Sequence, residues 1–273
     1  SLFNYLFIYG KLGFPTLGGA GAGLGTALAY WAVLVVIILV MLKNKLIASY
    51  QLWQWSPVQS SLLKAGFKLG LPIGLQVFAE VAIFAVVSLQ MAKFSSQVIA
   101  AHQSAMNFAT LLYAFPVSVS MALPIVISYE IGANRPQAAR QYAIIGRLTA
   151  ILFAGLTLTF LYFNRQMVAG WYGQNPVFIR LTADFLVFAL FFQLADAFTA
   201  PIQGILRGYK DTTVPFLLGL ISFWSLTFPI AFLLEGTTDL GPKAYWVGLI
   251  VGIFACGITL NIRMHIVEKR TVQ

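Results

Sequence analysis

Charge is what this sequence has least of. Only 9% of its 273 residues are Asp, Glu, Lys or Arg, where a soluble domain carries about 25%. With 59% hydrophobic residues and a mean hydropathy of +0.84, that deficit excludes an ordinary water-soluble domain and indicates a polytopic membrane protein. Cysteine is almost missing. The single Cys256, set in an apolar run, excludes an internal disulfide and says nothing about catalysis. Gly-x-Ser-x-Gly, the phosphate-binding P-loop, HExxH and CxxC are all missing too, so no motif for hydrolytic, nucleotide or redox chemistry stands out. The net charge of +9 does not read as nucleic-acid binding, because the basic residues lie between apolar segments, where membrane topology explains them better. No signal-peptide pattern is visible. The chain opens at Ser1 inside an apolar run, and the expectation is a fragment lacking its N-terminus.

What is present is a series of apolar runs of spanning length. Residues 1–10 read as the end of one helix. Complete spans are expected at about 20–42, 69–91, 98–127, 141–163, 177–206, 214–234 and 243–262. The fold class is thus an all-α membrane protein, a polytopic helical bundle of about seven complete transmembrane helices plus part of another. Residues 43–68 read as an interfacial connector, with Trp53, Trp55, Pro57, Lys64 and Lys68 suited to the membrane surface. Polar loops are expected at Ser128–Arg140 and at 164–176. Lys43, Lys45, Lys64, Lys68, Arg135, Arg140, Arg147, Arg207, Lys210, Arg263, Lys269 and Arg270 fall on one side of this arrangement. Only Lys11, Lys93, Arg165, Arg180 and Lys243 fall on the other. The positive-inside rule puts the richer side, and the C-terminus, in the cytoplasm. Leu17-Gly18 and Leu240-Gly241 begin similar turns into a span. This suggests two repeats, the second running from about residue 66 to the end, in a parent of about twelve helices.

Charged residues inside the spans carry the functional argument. Glu80 lies near the middle of the 69–91 span, where a carboxylate costs at least about 2.5 kcal/mol and has to face a cavity or a partner. Gln76, Glu80, Ile83, Val87 and Gln90 share one helical face. Gln103, Asn107, Thr110 and Tyr113 do the same on the next span, as do Gln193, Asp196, Ala200 and Gln203 farther on. Three polar stripes at overlapping depth suggest one hydrated cavity, with Gln76, Gln103, Asn107, Gln193 and Gln203 as lining candidates, although polar residues also glue membrane helices together. Asp184, about 120° around the helix from Asp196, reads as a cavity-mouth or structural residue. His102 reads as a capping or hydrogen-bonding histidine before a proton relay. Pro116 and Pro124 are hinge candidates, and simple packing of a kinked helix fits them equally.

These residues together resemble a known family, the multidrug and toxic compound extrusion (MATE) transporters, and in particular the C-terminal three-fifths of its NorM-like branch. The resemblance rests on Asn4 to Gly21 and on Leu71-Pro-Ile-Gly74 with Glu80. It continues through Ala100-Ala-His-Gln-Ser-Ala-Met-Asn107, Gly132-Ala-Asn-Arg135 with Ala139-Arg140, and Leu206-Arg-Gly-Tyr-Lys-Asp211. It implies a twelve-helix, two-lobe fold in which residues 1–42 end the N-terminal lobe, 43–68 connect the lobes and 69–273 form the six-helix C-terminal lobe. It also implies a cation-coupled antiporter of a bacterial inner membrane. Na+ or H+ enters while organic, often cationic and hydrophobic, compounds leave; no cofactor is implied beyond the coupling ion, and no nucleic-acid partner. The partners implied are the bilayer, those small molecules, the coupling cation and the rest of the N-terminal lobe. The family's cation site corresponds to Glu80, Tyr113 and Asp196, where Na+ or a proton would be held. A tyrosine found in some members one turn before the second acid is Phe192 here. The rival readings are a lipid-linked-precursor flippase of the same superfamily, which calls for a basic cavity, and a seven-helix receptor. A membrane enzyme lacks any catalytic cluster.

Overall fold

The computed structural model describes residues 2–10, 15–43 and 57–272. Lys11, Lys45, Trp53 and Trp55, used above for topology and the connector, lie outside the described residues. Among the described residues eight α-helices follow in chain order: α1 (Leu2–Tyr9), α2 (Gly18–Lys43), α3 (Ser60–Gln90), α4 (Ser96–Gly132), α5 (Pro136–Gly170), α6 (Pro176–Gly208), α7 (Thr213–Thr237) and α8 (Lys243–Val272), with a 3-10 turn at Met91–Lys93 after α3. No strand occurs among the described residues. Helices α2 to α8 are long and apolar enough to cross a membrane, and they are the seven expected spans. In hydrocarbon a helix satisfies its backbone polar groups within itself, which is why apolar runs of this length adopt no other form.

Several helices run past their expected ends. Helix α3 starts at Ser60, so residues 60–68 of the expected connector are its first turns. The expected loop at Ser128–Arg140 shrinks to residues 133–135, and that at 164–176 shrinks to residues 171–175. Helix α8 continues through the basic tail to Val272. Polar side chains at a membrane surface reach water without the backbone giving up its own hydrogen bonds, so polarity alone marks the end of a span and not the end of a helix.

Local chemistry fixes the stops that are real. Asn175 caps α6, its Oδ1 accepting from the Val177 amide at 2.9 Å, with Pro176 at the first helical position, where no donor is lost. Helices α4 and α6 end in the same Schellman geometry. Asn134 and Lys210 have φ of 55° and 61°; the Arg135 amide reaches the Glu130 carbonyl and the Asp211 amide reaches the Leu206 carbonyl, both at 2.9 Å. These are the two polar motifs Gly132–Arg135 and Leu206–Asp211.

The chain divides into two compact units, residues 1–59 and 60–273. In the first, α1 and α2 form a hairpin; Gly18 turns the chain at φ +52°, and Gly21 lies against the Phe7 carbonyl with no room for a Cβ. In the second, α7 and α8 form a hairpin, with Gly241 at φ +53° and Gly248 pressed against the Thr227 carbonyl. The two Leu–Gly turns thus share a backbone conformation as well as a sequence. Helix α6 is the axis of the second unit and packs on α4, α5 and α8. At its closest approach Gly204 meets the Ser120 carbonyl of α4. Pro124, four residues later, has no N–H to give that carbonyl, so the oxygen is free to face α6.

Candidate functional site

Helix α3 packs its backbone more closely on α7 than on α4 or α6. The space left over is a cavity of about 390 Å3 within the second unit. Glu80 and Phe84 enter it from α3; Thr110, Tyr113 and Ser120 from α4; Phe192, Asp196, Gln203 and Arg207 from α6. Phe223 of α7 and Ile253 of α8 line it as well. The Phe84 and Phe192 rings meet edge to face at 5.6 Å and bridge α3 to α6 across it.

Glu80 is held by two amides. Gln203 donates Nε2 to Glu80 Oε1 at 2.9 Å, and Gln76 donates Nε2 to the same oxygen at 3.1 Å. No hydrogen bond falls on Oε2 from any described residue. Asp196 is 7% exposed and has neither a hydrogen-bond donor nor an ion-pair partner among the described residues. Glu80, Asp196 and the Tyr113 hydroxyl make an all-oxygen set, the chemistry of a hard monovalent cation or a proton. Among the described residues no three His, Cys, Asp or Glu come together as a transition-metal ligand group.

Of the expected lining residues, the cavity gathers Glu80, Tyr113, Asp196 and Gln203, with Gln76 behind Glu80. It leaves out Gln103, Asn107, Asp184 and Gln193. Gln103 is exposed. Asn107 accepts from the Tyr172 hydroxyl at 2.9 Å. Asp184 pairs with Lys243 at 2.7 Å, which ties α6 to α8. Gln193 is buried with no partner for its Oε1. Pro116 and Pro124 lie inside an unbroken α4, Pro116 buried. His102 is fully buried, its Nδ1 accepting from Trp246 Nε1 at 3.1 Å, so it is a hydrogen-bonded core histidine; its Nε2 has no partner.

Arg207 was grouped by sequence with the turn that follows it, yet it lines the cavity. The signal was available: 196, 200, 203 and 207 continue one helical stripe, and eleven residues at about 100° each return Arg207 to within about 20° of Asp196. Ser120 and the Phe84–Phe192–Trp246 ring chain carried no comparable signal.

The site is thus an acid-lined cavity within a bundle of helices long and apolar enough to cross a membrane. The MatE family model matches residues 72–233, well over half the chain, and the chain belongs to that family of membrane transporters. It is 54% identical over 98% of its length to a probable multidrug resistance protein NorM of Streptococcus pneumoniae, covering 59% of that protein. It is 44% identical to the Bacillus subtilis NorM protein over 99% of its length, covering 60% of it. The chain therefore spans about three-fifths of the length of the curated relatives it matches. Among solved structures, the eukaryotic MATE transporter AtDTX14 superposes with a TM-score of 0.83 at 16% identity, over 99% of this chain and 62% of that one. At that identity it speaks for the fold alone.

Proposed function

We propose that the chain contributes the coupling lobe of a cation-driven multidrug efflux antiporter of the bacterial inner membrane. Residues 69–273 form that C-terminal lobe, 43–68 connect it to the other, and 1–42 end the N-terminal lobe; the remaining length of the relatives supplies the rest of that lobe. The C-terminus lies on the cytoplasmic side, following the basic residues. The observation that carries the reading is the convergence of Glu80, Tyr113 and Asp196 on one cavity. Na+ or a proton entering at these oxygens competes with an organic cation for the same negative charge. Loading one thus favours release of the other, and this differential affinity biases the inward- and outward-facing states. The cavity's aromatic and apolar walls, Phe84, Phe192, Met106 and Phe223, suit a hydrophobic cargo. Two acids against the single base Arg207 favour a cationic cargo over the anionic one expected of a lipid-linked-precursor flippase.

The test is dye or drug efflux from cells carrying the full-length protein with Glu80→Gln or Asp196→Asn. Each is expected to lower gradient-driven efflux about 100-fold at unchanged expression. Undiminished, gradient-dependent efflux in both variants defeats the proposal. Imposing Na+ and pH gradients separately on liposomes identifies the coupling ion.

A further inference from the structure

We infer that Arg207 is a tethered cation that takes the transported ion's place at Glu80 when the site is empty and is displaced when the ion loads. This rests on the antiport reading above and adds to it a residue that sets how tightly the ion is held and how it is released.

Four observations converge on it. Arg207 lines the cavity that Glu80 and Asp196 line. Its Nε is buried with no partner, and the guanidinium makes no hydrogen bond or ion pair with any described residue. It sits one helical turn after Gln203, whose amide holds Glu80 Oε1 at 2.9 Å. Side chains on a helix lean toward its N-terminus, so Arg207 leans back over the turn that carries Gln203 and toward Glu80. Finally, Glu80 Oε2 accepts no bond from any described residue, so an unpaired donor and an unpaired acceptor line the same cavity.

A buried charge without a partner is expensive. Glu80 and Arg207 are half-buried, line one cavity and make no ion pair, an arrangement that suits a third charge binding at the carboxylate. The charge count fits: two carboxylates and one guanidinium leave a single negative charge, which one monovalent cation or one proton neutralises. In the empty state the guanidinium turns to Glu80 Oε2; when the ion binds there, the guanidinium is displaced from that oxygen. As a competitor on a fixed tether it weakens ion binding and speeds release. The alternative is that Arg207 only complements the C-terminal end of α6, where a cation is favoured. That role predicts a less stable protein, but neither tighter ion binding nor an ion-dependent change at the guanidinium.

The experiment uses the full-length protein in liposomes, with Na+ titrated at fixed pH and protons titrated without Na+. Arg207→Gln is expected to lower the half-saturating concentration of the coupling ion at least about tenfold while slowing turnover at saturation. Arg207→Lys, which keeps the charge, is expected to stay within about threefold of wild type. In parallel, infrared difference spectra of wild type labelled with 15N-arginine are expected to show a guanidinium band that shifts on ion loading and is lost in Arg207→Lys. An unchanged or raised half-saturating concentration, or an ion-insensitive guanidinium band, overturns the inference, and the spectrum alone decides it if Arg207→Gln does not fold. If Glu80→Gln and Asp196→Asn abolish coupling while Arg207→Gln leaves ion affinity unchanged, only this inference falls. If those carboxylate variants still couple efflux to the gradient, the antiport reading falls with it.

Discussion

The charges at the ends of the helices and the charges in the cavity obey opposite rules. Toward the ends most of the acids are matched with a base: Asp211 with Arg263 at 2.6 Å, Asp184 with Lys243 at 2.7 Å and Glu130 with Arg135 at 2.8 Å. Glu235 accepts from the Tyr245 hydroxyl at 2.6 Å, with Lys93 at 3.9 Å. In the cavity Glu80, Asp196 and Arg207 share a space and no ion pair. The first arrangement suits groups whose work is to hold helices together. The second suits groups that keep a place for something that arrives and leaves.

Five substitutions and one control press on that contrast. The largest effect is expected from Glu80→Gln or Asp196→Asn, an efflux loss equivalent to about 2.7 kcal/mol with thermal stability in detergent equal to or above wild type, because no existing pair is broken. A matching fall in melting temperature would make these carboxylates structural. Gly204→Ala puts a methyl onto the Ser120 carbonyl and is expected to cost about 2–3 kcal/mol of stability; Gly74→Ala, with open space around it, is the silent control in the same melts. Asp211→Asn leaves Arg263, only 24% exposed, without its partner. The expected cost is about 1–2 kcal/mol, with efflux per folded molecule retained. Smallest is Lys93→Ala, half exposed and 3.9 Å from Glu235, expected to change stability by less than about 0.5 kcal/mol in the same thermal assay.

The helices and the two midplane acids were legible because both signals are local. An apolar run of twenty residues has one solution in hydrocarbon, and a carboxylate within it has few. The cavity's other walls were less legible, because a 3-to-4 stripe drifts around a helix. Asn107 stands about 120° from Tyr113 at 100° per residue, and the structure accordingly turns Asn107 to Tyr172 and Tyr113 to the cavity. Gln103 keeps the angle of Thr110 but stands about two turns farther along the helix, beyond the cavity. Arg207 was hidden by its neighbours, since a basic residue beside Lys210 and Asp211 reads as part of a surface turn. Nor does composition reveal that α3 packs less closely on α4 and α6 than on α7. That difference depends on which helix pairs bring glycine to backbone, as Gly204 does, and which keep aromatic rings between them, as Phe84 and Phe192 do.

At the ribosome the two Leu–Gly turns matter for another reason. Each joins helices adjacent in sequence, and each is closed by a glycine seated on the partner helix, so neither hairpin needs distant residues to form. The α7–α8 pair can leave the insertion machinery as a finished unit, whereas the α4–α6 contact waits for two helices separated by all of α5. The polar chamber is lined from α3, α4, α6, α7 and α8, so its wall is complete only once the last helix of the lobe has been made.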